Sequence, residues 1–503
     1  MKTSSIKTVA RQYVFYLFCL FTLSTLFIGC TPKRPAHIKE VEGLPNIYPD
    51  YTDVTIPVNI APLNFLVRDN VEEVECIAQY EDTKISVNTK GNEVCFGERQ
   101  WRKLLKAAKG HDIKVNLSVK MKKDSSLFIL HSSFTWHVAS EAIDPYLTYR
   151  LIEPDYEIFN HLELRERHIE SFDERAIASY QSVGNRCMNC HTYAHQSPDL
   201  SMMYIRGDNG GAILNNQGTL SKLNIKTDDM VSSSVYFAFS PSGRYVVFST
   251  NVIIPAFHSM PSKRLEVYDQ ASDIYVADLQ TQTIISSPAL ADADRQETFP
   301  TFSPDGRHIY FCSARNVELP GDVKKLQYSL CRIPFDEQQG TIGTNVDTLI
   351  HANQQMGKWS VSHPKVSPDG RFLLFTVADY GTFPIWHPEA DLRMLNLQTG
   401  LIDSLNIVNS HKSDTYHCWS SNSRWFVFAS KRDDGLYGKP YFCYVDKEGN
   451  AHKPFVLPQK SPTFYDDCLK SFNVPELGKG RLPFSAHDVK KAMKHEAINF
   501  VKK

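Results

Sequence analysis

The sequence predicts a mainly β protein, in which a β-rich, sandwich-like N-terminal domain and a C-terminal β-propeller of about six blades flank a short helical segment. Apolar and polar residues alternate with a period of two in much of residues 51–145. In the second half one turn motif recurs, and four blades can be delimited from it. At 503 residues the chain can hold two or three domains, and an aromatic content of 12% suits large packed cores.

The chain begins with a predicted lipoprotein signal peptide, residues 1–29. Residues 1–12 carry three basic side chains and no acidic one, and the apolar run 13–28 follows. A run of 16 residues is typical of a signal-peptide core, because a membrane-spanning helix needs about 20. The run ends in Gly29-Cys30, which resembles a bacterial lipobox with Phe27 in place of the usual Leu. We expect lipidation of Cys30, and an uncleaved N-terminal anchor is the alternative.

Either form of the N-terminus places the body of the protein outside the cytoplasm. We expect a protein of the bacterial cell envelope that lipid on Cys30 anchors to a membrane, periplasm-facing or at the outer membrane. The net charge of −1 becomes about −4 once the three basic residues of the signal peptide are removed. So small a charge on a long chain indicates no nucleic-acid partner.

A polar, proline-rich linker, 30–50, leads into a predicted β-rich domain at 51–145. Alternating apolar residues predict strands over 55–67, 71–80, 85–87, 93–96, 113–121 and 127–138. Residues 100–109 form a predicted helix, in which Trp101, Leu104, Leu105 and Ala108 share one face. The sequence of this domain indicates no function.

The segment 146–225 contains a C-x-x-C-H motif made of Cys187, Cys190 and His191. This is the attachment signature of c-type haem. Two thiols add to the vinyl groups of the porphyrin, and the adjacent histidine becomes an axial ligand of the iron. We expect one covalent haem c in this segment, with a helix over 170–181 leading into the motif.

Two other uses of the cysteine pair are disfavoured. A thioredoxin-like dithiol requires a βαβ context, which the surroundings of Cys187 do not predict. A zinc site requires a second pair of ligands, and the chain has no other C-x-x-C.

The sequence leaves open which residue binds the opposite face of the iron. Met202 and Met203 follow His191 by 11 and 12 residues, within reach of a loop that folds back over a haem. His258 lies in a long insertion of the first recognisable blade, and long insertions are often functional. His195 is disfavoured, because it follows His191 by only four residues and is too close to cross the ring. An iron without a second protein ligand is the last alternative, and it would allow small ligands or catalysis.

The predicted propeller covers residues 226–465. Its repeated turn, Ser-Pro-(Asp/Ser)-Gly-Arg followed by an apolar strand, occurs at 240–244, 303–307 and 367–371, with a degenerate copy at 420–424. Proline fixes the first central turn position and glycine accepts a positive φ, so each copy predicts a hairpin. Several short strands per unit are typical of a propeller blade. The tail, 466–503, includes a predicted amphipathic helix over 486–501.

These turns resemble the WD40-like (PD40) repeats of the TolB family. Together with Cys30 and the haem motif, they resemble TolB-like haem-binding lipoproteins of Bacteroidetes-type bacteria. The resemblance implies a lipid-anchored propeller that carries one haem, and it implies no substrate.

Seven cysteines remain outside the signal peptide, the lipobox and the haem motif. An oxidising envelope permits disulfides, with Cys76–Cys95 and Cys312–Cys331 as the first pairs to consider. Because most of these cysteines lie in apolar strand patterns, buried unpaired thiols are the alternative.

Three functions are compatible with the sequence. The first is electron transfer or redox sensing, in which the propeller docks an envelope or redox partner. The second is a propeller scaffold in which haem is structural. The third is a haem oxidoreductase of peroxidase-like type, which requires an open iron position. No G-x-S-x-G or H-E-x-x-H motif occurs, which disfavours hydrolysis. Because the sequence also offers no convincing catalytic base, we expect a carrier or scaffold rather than an enzyme.

Overall fold

The computed structural model describes residues 38–153, 161–207, 210–260, 263–352 and 359–503. The structure likewise does not describe the side chains of residues 124–127, 189–190, 257–260 and 263–264. The predicted signal peptide and Cys30 therefore lie outside the described residues. No helix within the described ranges has the length and apolar content of a membrane span.

The N-terminal domain is built almost entirely of strands, as predicted. Its elements are β1 (Ile38–Glu40), β2 (Ile47–Tyr48), β3 (Val54–Ile56), β4 (Phe65–Val67), β5 (Val71–Tyr80), β6 (Thr83–Lys90), β7 (Glu93–Val94), α1 (Glu98–Ala107), β8 (Asp112–Met121), β9 (Asp124–Leu130) and β10 (Phe134–Val138). In the described part of this domain, β2, β4 and β7 form one sheet and the other seven strands form a second. The predicted helix is confirmed as α1, whose Trp101 packs edge-on against Trp136 at 5.3 Å between ring centroids.

The first two propeller sheets lie N-terminal to the predicted repeats. Their strands are β11 (Tyr146–Ile152), β12 (Glu163–His168), β13 (Glu174–Ser179), β14 (Met188–Tyr193), β15 (Leu200–Ile205), β16 (Gly211–Asn216) and β17 (Thr219–Asn224). The predicted helix over 170–181 is wrong, since β13 occupies this segment. Pairing with β12 overrides the local helical preference of the sequence.

The recognisable repeats form the next sheets. Their strands are β18 (Ser234–Phe239), β19 (Tyr245–Met260), β20 (Lys263–Asp278), β21 (Thr283–Ile285), β22 (Arg295–Phe302), β23 (His308–Arg315), β24 (Ser329–Asp336), β25 (Thr341–Ile342), β26 (Asp347–Ile350), β27 (Ser360–Val366), β28 (Phe372–Ala378), β29 (Asp391–Asn396), β30 (Ile402–Asp403), β31 (Asp414–Trp419), β32 (Trp425–Ser430), β33 (Lys439–Tyr444) and β34 (Phe455–Val456). Two 3-10 turns, Val323–Lys325 and Pro384–Trp386, lie in the connections.

The C-terminal segment adds strands to earlier sheets. Its elements are α2 (Phe464–Asp467), β35 (Ser471–Gly478), α3 (Ala486–Ala492), β36 (Ile498–Asn499) and β37 (Val501–Lys502). The amphipathic helix predicted over 486–501 is thus shorter than expected. Its C-terminal part instead forms β36 and β37, which pair in parallel with β17 and β21.

These sheets form a six-bladed propeller within the described residues. In chain order the blades are β11–β13 with β35, β14–β17 with β36, β18–β21 with β37, β22–β26, β27–β30 and β31–β34. The inner strands contact one another in the order β35, β14, β18, β22, β27, β31 and back to β35. The ring closes because β35 pairs with β11 as the inner strand of the first blade. The mainly β fold class with about six blades is therefore confirmed.

The repeated turn is stabilised by its own side chains. In the second copy the Ser303 hydroxyl accepts a 2.9 Å hydrogen bond from the backbone N–H of His308 and donates to Asp305 at 2.6 Å. Gly306 has a φ of 71°, a conformation that glycine adopts without strain. These residues are structural, as the turn chemistry predicts.

The cysteines whose side chains are described are all unpaired. They are Cys76, Cys95, Cys187, Cys312, Cys331, Cys418, Cys443 and Cys468. Neither of the two disulfides considered from the sequence is formed. Five of these thiols are buried, so the alternative of buried unpaired cysteines describes them.

Candidate functional site

A cavity of about 400 Å³ lies in the central channel of the propeller. Every inner strand contributes to its lining, and so does Cys187, which directly precedes β14. Apolar side chains from the long β19–β20 hairpin and from the 3-10 turn Pro384–Trp386 form part of the wall. The volume is within the range of small-molecule and cofactor sites.

The inner strands share a backbone feature at the level of the cavity. The pairing register of β14, β18, β22, β27 and β31 shifts at one point, which indicates a β-bulge in each. A residue of positive φ occupies the bulge in most of these strands and in β35: Tyr236, Phe299, His363, Tyr416 and Val474. In β14 the shift falls between Asn189 and His191, which places Cys190 at the same position of the repeat.

Four of these bulge residues meet near the channel axis. The ring of Phe299 lies 4.4 Å from Tyr236 and 3.9 Å from His363, measured between centroids. The ring of His363 in turn lies 4.9 Å from Tyr416 in an edge-on arrangement. The four side chains form a continuous arc of aromatic rings from blades three to six.

The haem motif lies on the opposite side of the channel, in the strand β14 and not at the end of a helix. Cys187 is half-buried and lines the cavity. Cys190 is within β14, and its side chain is outside the description. His191 lines the same cavity and is 7% exposed. The structure therefore places a thiol and the imidazole of the motif at one site.

The bonding of His191 resembles that of a metal-ligating histidine. Its imidazole is hydrogen-bonded to the backbone of Thr148, and Nε2 is enclosed without a partner among the described residues. Burial lowers the pKa of His191 to about 3, with nearby Arg150 as a further cause, so the ring is neutral. Ligating histidines are commonly fixed in this way by a bond from the other ring nitrogen. The residues present fit a haem iron at Nε2.

The two methionines lie elsewhere. Met203 is the cross-strand neighbour of His191 on β15, and Met202 faces the other side of the same sheet. They are 3% and 2% exposed and belong to two different hydrophobic clusters, between blade two and its two neighbours. Neither lines the cavity, so both occupy core positions. The backbone of His258 lies in β19, and its side chain is outside the described residues.

The cavity wall carries more positive than negative charge. Arg150, Arg206, Lys365 and Lys431 line it, together with Glu153 and Glu476. Lys365 pairs with Glu476 at 3.6 Å between Nζ and Oε1. A surplus of cations beside apolar walls suits a ligand with a large apolar body and carboxylates, because guanidinium and ammonium groups bind carboxylates well.

Sequence reasoning did not identify the histidines of the far wall. His363 and His417 line the cavity from β27 and β31. Each lies three residues or more before a repeated turn, where nothing distinguishes it from an ordinary strand residue. When the inner strands are aligned at their bulges, His417 and His191 occupy the same position, one residue after the bulge residue. Among the described residues, no group of three or more His, Cys, Asp or Glu side chains could hold a metal ion by itself.

Comparison with known proteins gives likenesses of fold only. No protein-family model and no curated protein matches the chain. Among solved structures, TolB from Acinetobacter baumannii has a TM-score of 0.42 at 14% identity and covers 76% of this chain and 85% of its own. A hypothetical selenium-binding protein from Sulfolobus tokodaii has a TM-score of 0.40 at 11% identity and covers 82% of this chain and 94% of its own. Both scores are low, so the propeller assignment depends on the strand pairing described above.

Proposed function

We propose that this protein is a cell-envelope lipoprotein that carries one covalent haem c in its propeller and acts in electron transfer or redox sensing. The observation that carries the proposal is the environment of His191. Its Nε2 is enclosed without a partner among the described residues, and it lines the same cavity as the Cys187 thiol. The C-x-x-C-H spacing supplies the second thiol, Cys190.

Each part of the site would have a defined role. Cys187 and Cys190 would form the two thioethers, and His191 would bind the iron through Nε2. Arg206 and Lys431, which line the cavity, are suited to the carboxylates of the porphyrin. The bound haem would supply a one-electron couple, and the apolar wall would limit the access of water to it.

The propeller and the N-terminal domain would present this haem to a partner as one unit. The Asp144 carboxylate accepts hydrogen bonds from the Ser420 hydroxyl at 3.0 Å and the backbone N–H of Ser421 at 2.6 Å, which join the domain to blade six. Lipid on Cys30 would anchor this unit to the membrane. The partner would be a redox protein of the envelope.

The experiment is expression of the full chain in a host that has the c-type haem maturation machinery. We expect haem to remain attached after denaturation, and we expect a reversible spectral change between reduced and oxidised forms. A double variant, Cys187→Ser with Cys190→Ser, should lose the attached haem. Cys468→Ser is the matched control, because Cys468 is also half-buried but lies outside the cavity.

The outcome distinguishes the alternatives. Wild-type protein without covalent haem, from cells that mature another c-type cytochrome, would refute the proposal. Rapid turnover of hydrogen peroxide would favour a peroxidase-like enzyme. Attached haem that dithionite and ferricyanide do not cycle would favour a structural role in a scaffold.

A further inference from the structure

The blade order identifies what faces His191 across the channel. His191 is on β14, and two inner strands separate it from β27 in either direction around the ring, β18 and β22 on one side and β35 and β31 on the other. The strand β27 therefore lies directly opposite β14. Its bulge residue is His363, which lines the same cavity as His191.

His363 is accessible from the cavity and held in one orientation. The side chain is only half-buried, in contrast to His191. The Phe299 ring, 3.9 Å away, and the edge-on Tyr416 ring at 4.9 Å fix the plane of the imidazole. Its Nδ1 is enclosed and has no hydrogen-bond partner among the residues described. Binding of a ligand by the imidazole would therefore break no hydrogen bond of this nitrogen.

The other histidine of this wall is less suitable. His417 is 3% exposed, its Nε2 donates a 2.9 Å hydrogen bond to the Leu374 carbonyl, and its Nδ1 has no partner among the described residues. Its strand, β31, is separated from β14 by β35 alone, so His417 does not lie opposite His191. Met202 and Met203 are enclosed in the core on β15, beside His191 and not across from it.

We propose that His363 is the second axial ligand of the iron, so that the haem is held between His191 and His363 from opposite blades. This inference depends on the proposed function, since it requires haem at Cys187 and Cys190. Ligation by two histidines gives a lower reduction potential than ligation by histidine and methionine. It would also connect blades two and five through the iron.

The test is the spin state of the ferric iron, measured by absorption and electron paramagnetic resonance on matured full-length protein. We expect wild type to be low-spin and His363→Phe to be high-spin with haem still covalently attached. Phenylalanine is the natural residue at this repeat position in blade four, at Phe299, so the variant keeps an aromatic ring in the arc. Added imidazole should restore the low-spin spectrum of His363→Phe.

His308→Phe is the matched control and should remain low-spin, because His308 is half-buried outside the cavity and phenylalanine, Phe372, occupies its position in blade five. Circular dichroism of His363→Phe must match wild type, and His363→Ala provides a second variant if it does not. Covalent haem that is high-spin in wild type, or that stays low-spin in the folded His363 variants, would overturn this inference and leave the proposed function intact. Absence of covalent haem in wild type would overturn the proposed function, and this inference with it.

Discussion

The Thr382 hydroxyl donates a 3.0 Å hydrogen bond to Oδ2 of Asp269, which joins two walls of the cavity. Asp269 lies on β20, about midway along the hairpin that lines one side. Thr382 precedes the 3-10 turn Pro384–Trp386, which lines another. The carboxyl is fully buried, and the effect of burial on its pKa exceeds that of its hydrogen bonds to Asn251 and Thr382. The two walls are therefore joined by a carboxylate whose negative charge is destabilised by burial.

The first prediction concerns the pH dependence of stability. Burial raises the pKa of Asp269 to about 6, above its usual value of 3.8. The folded state then binds more protons than the unfolded state between these values, so the free energy of unfolding falls as pH rises from about 4 to 6. The Asp269→Asn variant should not show this fall in the free energy of unfolding. Above pH 6 its free energy of unfolding should exceed that of wild type by up to about 3 kcal/mol.

Urea unfolding of wild type and Asp269→Asn from pH 4 to 8 measures the difference. Burial also raises the pKa of Glu297, to about 7, so the wild-type curve contains both groups and only the difference isolates Asp269. Equal slopes for the two proteins between pH 4 and 6 would contradict the prediction.

The second prediction concerns Met203, which is a core residue in the structure. Met203→Ala should lower the free energy of unfolding by about 2–5 kcal/mol, because it leaves a cavity between blades one and two. Met203→Leu conserves volume and should cost less than about 1.5 kcal/mol. Haem-loaded protein should show the same spin state in both variants as in wild type. A change to high-spin iron in Met203→Leu would instead identify Met203 as a ligand.

The third prediction concerns the thiols. Burial raises the pKa of Cys312 and Cys443, so neither should react with a thiol reagent in the native protein. After denaturation without a reductant both should react, as should Cys331, because none is in a disulfide. Cys95 is exposed and serves as the positive control in the native state. Peptide mapping that finds Cys312 joined to Cys331 would refute this arrangement.

The fourth prediction concerns closure of the ring. Removal of residues 471–503 deletes β35, which leaves the inner edge of β11 unpaired and separates blades one and six from their shared contact. The shortened protein should lose its cooperative thermal transition. Removal of 498–503 deletes β36, β37 and the buried Phe500 but leaves all six inner strands in place, so the transition should stay cooperative at a lower Tm. A cooperative transition at the wild-type temperature in the longer deletion would contradict the prediction.

The sequence predicted those parts of the fold that have a local signal. The repeated turns predicted blades three to six, because proline and glycine specify the turn wherever they occur. Blade one has no such turn, and its inner strand β35 is distant in the sequence from β11. The segment of β13 has good helix formers, and only its pairing with β12 makes it a strand. Tertiary pairing of this kind has no local signal.

The candidate site likewise has a part with a local sequence signal and a part without one. The spacing of Cys187, Cys190 and His191 is local and predicted one half of the site. His363 became a candidate only when the order of the inner strands was known, because a position across a ring depends on every blade between. The proximity in sequence that suggested Met202 and Met203 instead places them on the adjoining strand, with their side chains in the core.

The pairing of β35 with β11 also sets an order of assembly. Blade one borders β14, which contains His191 and directly follows Cys187, and it is completed by residues 471–478, which are synthesised after all the other inner strands. Until β35 pairs with β11, the cleft that encloses His191 is open on one side. Under the proposed function, an enzyme that attaches haem to Cys187 would have an interval in which the motif is exposed, before β35 closes the cleft.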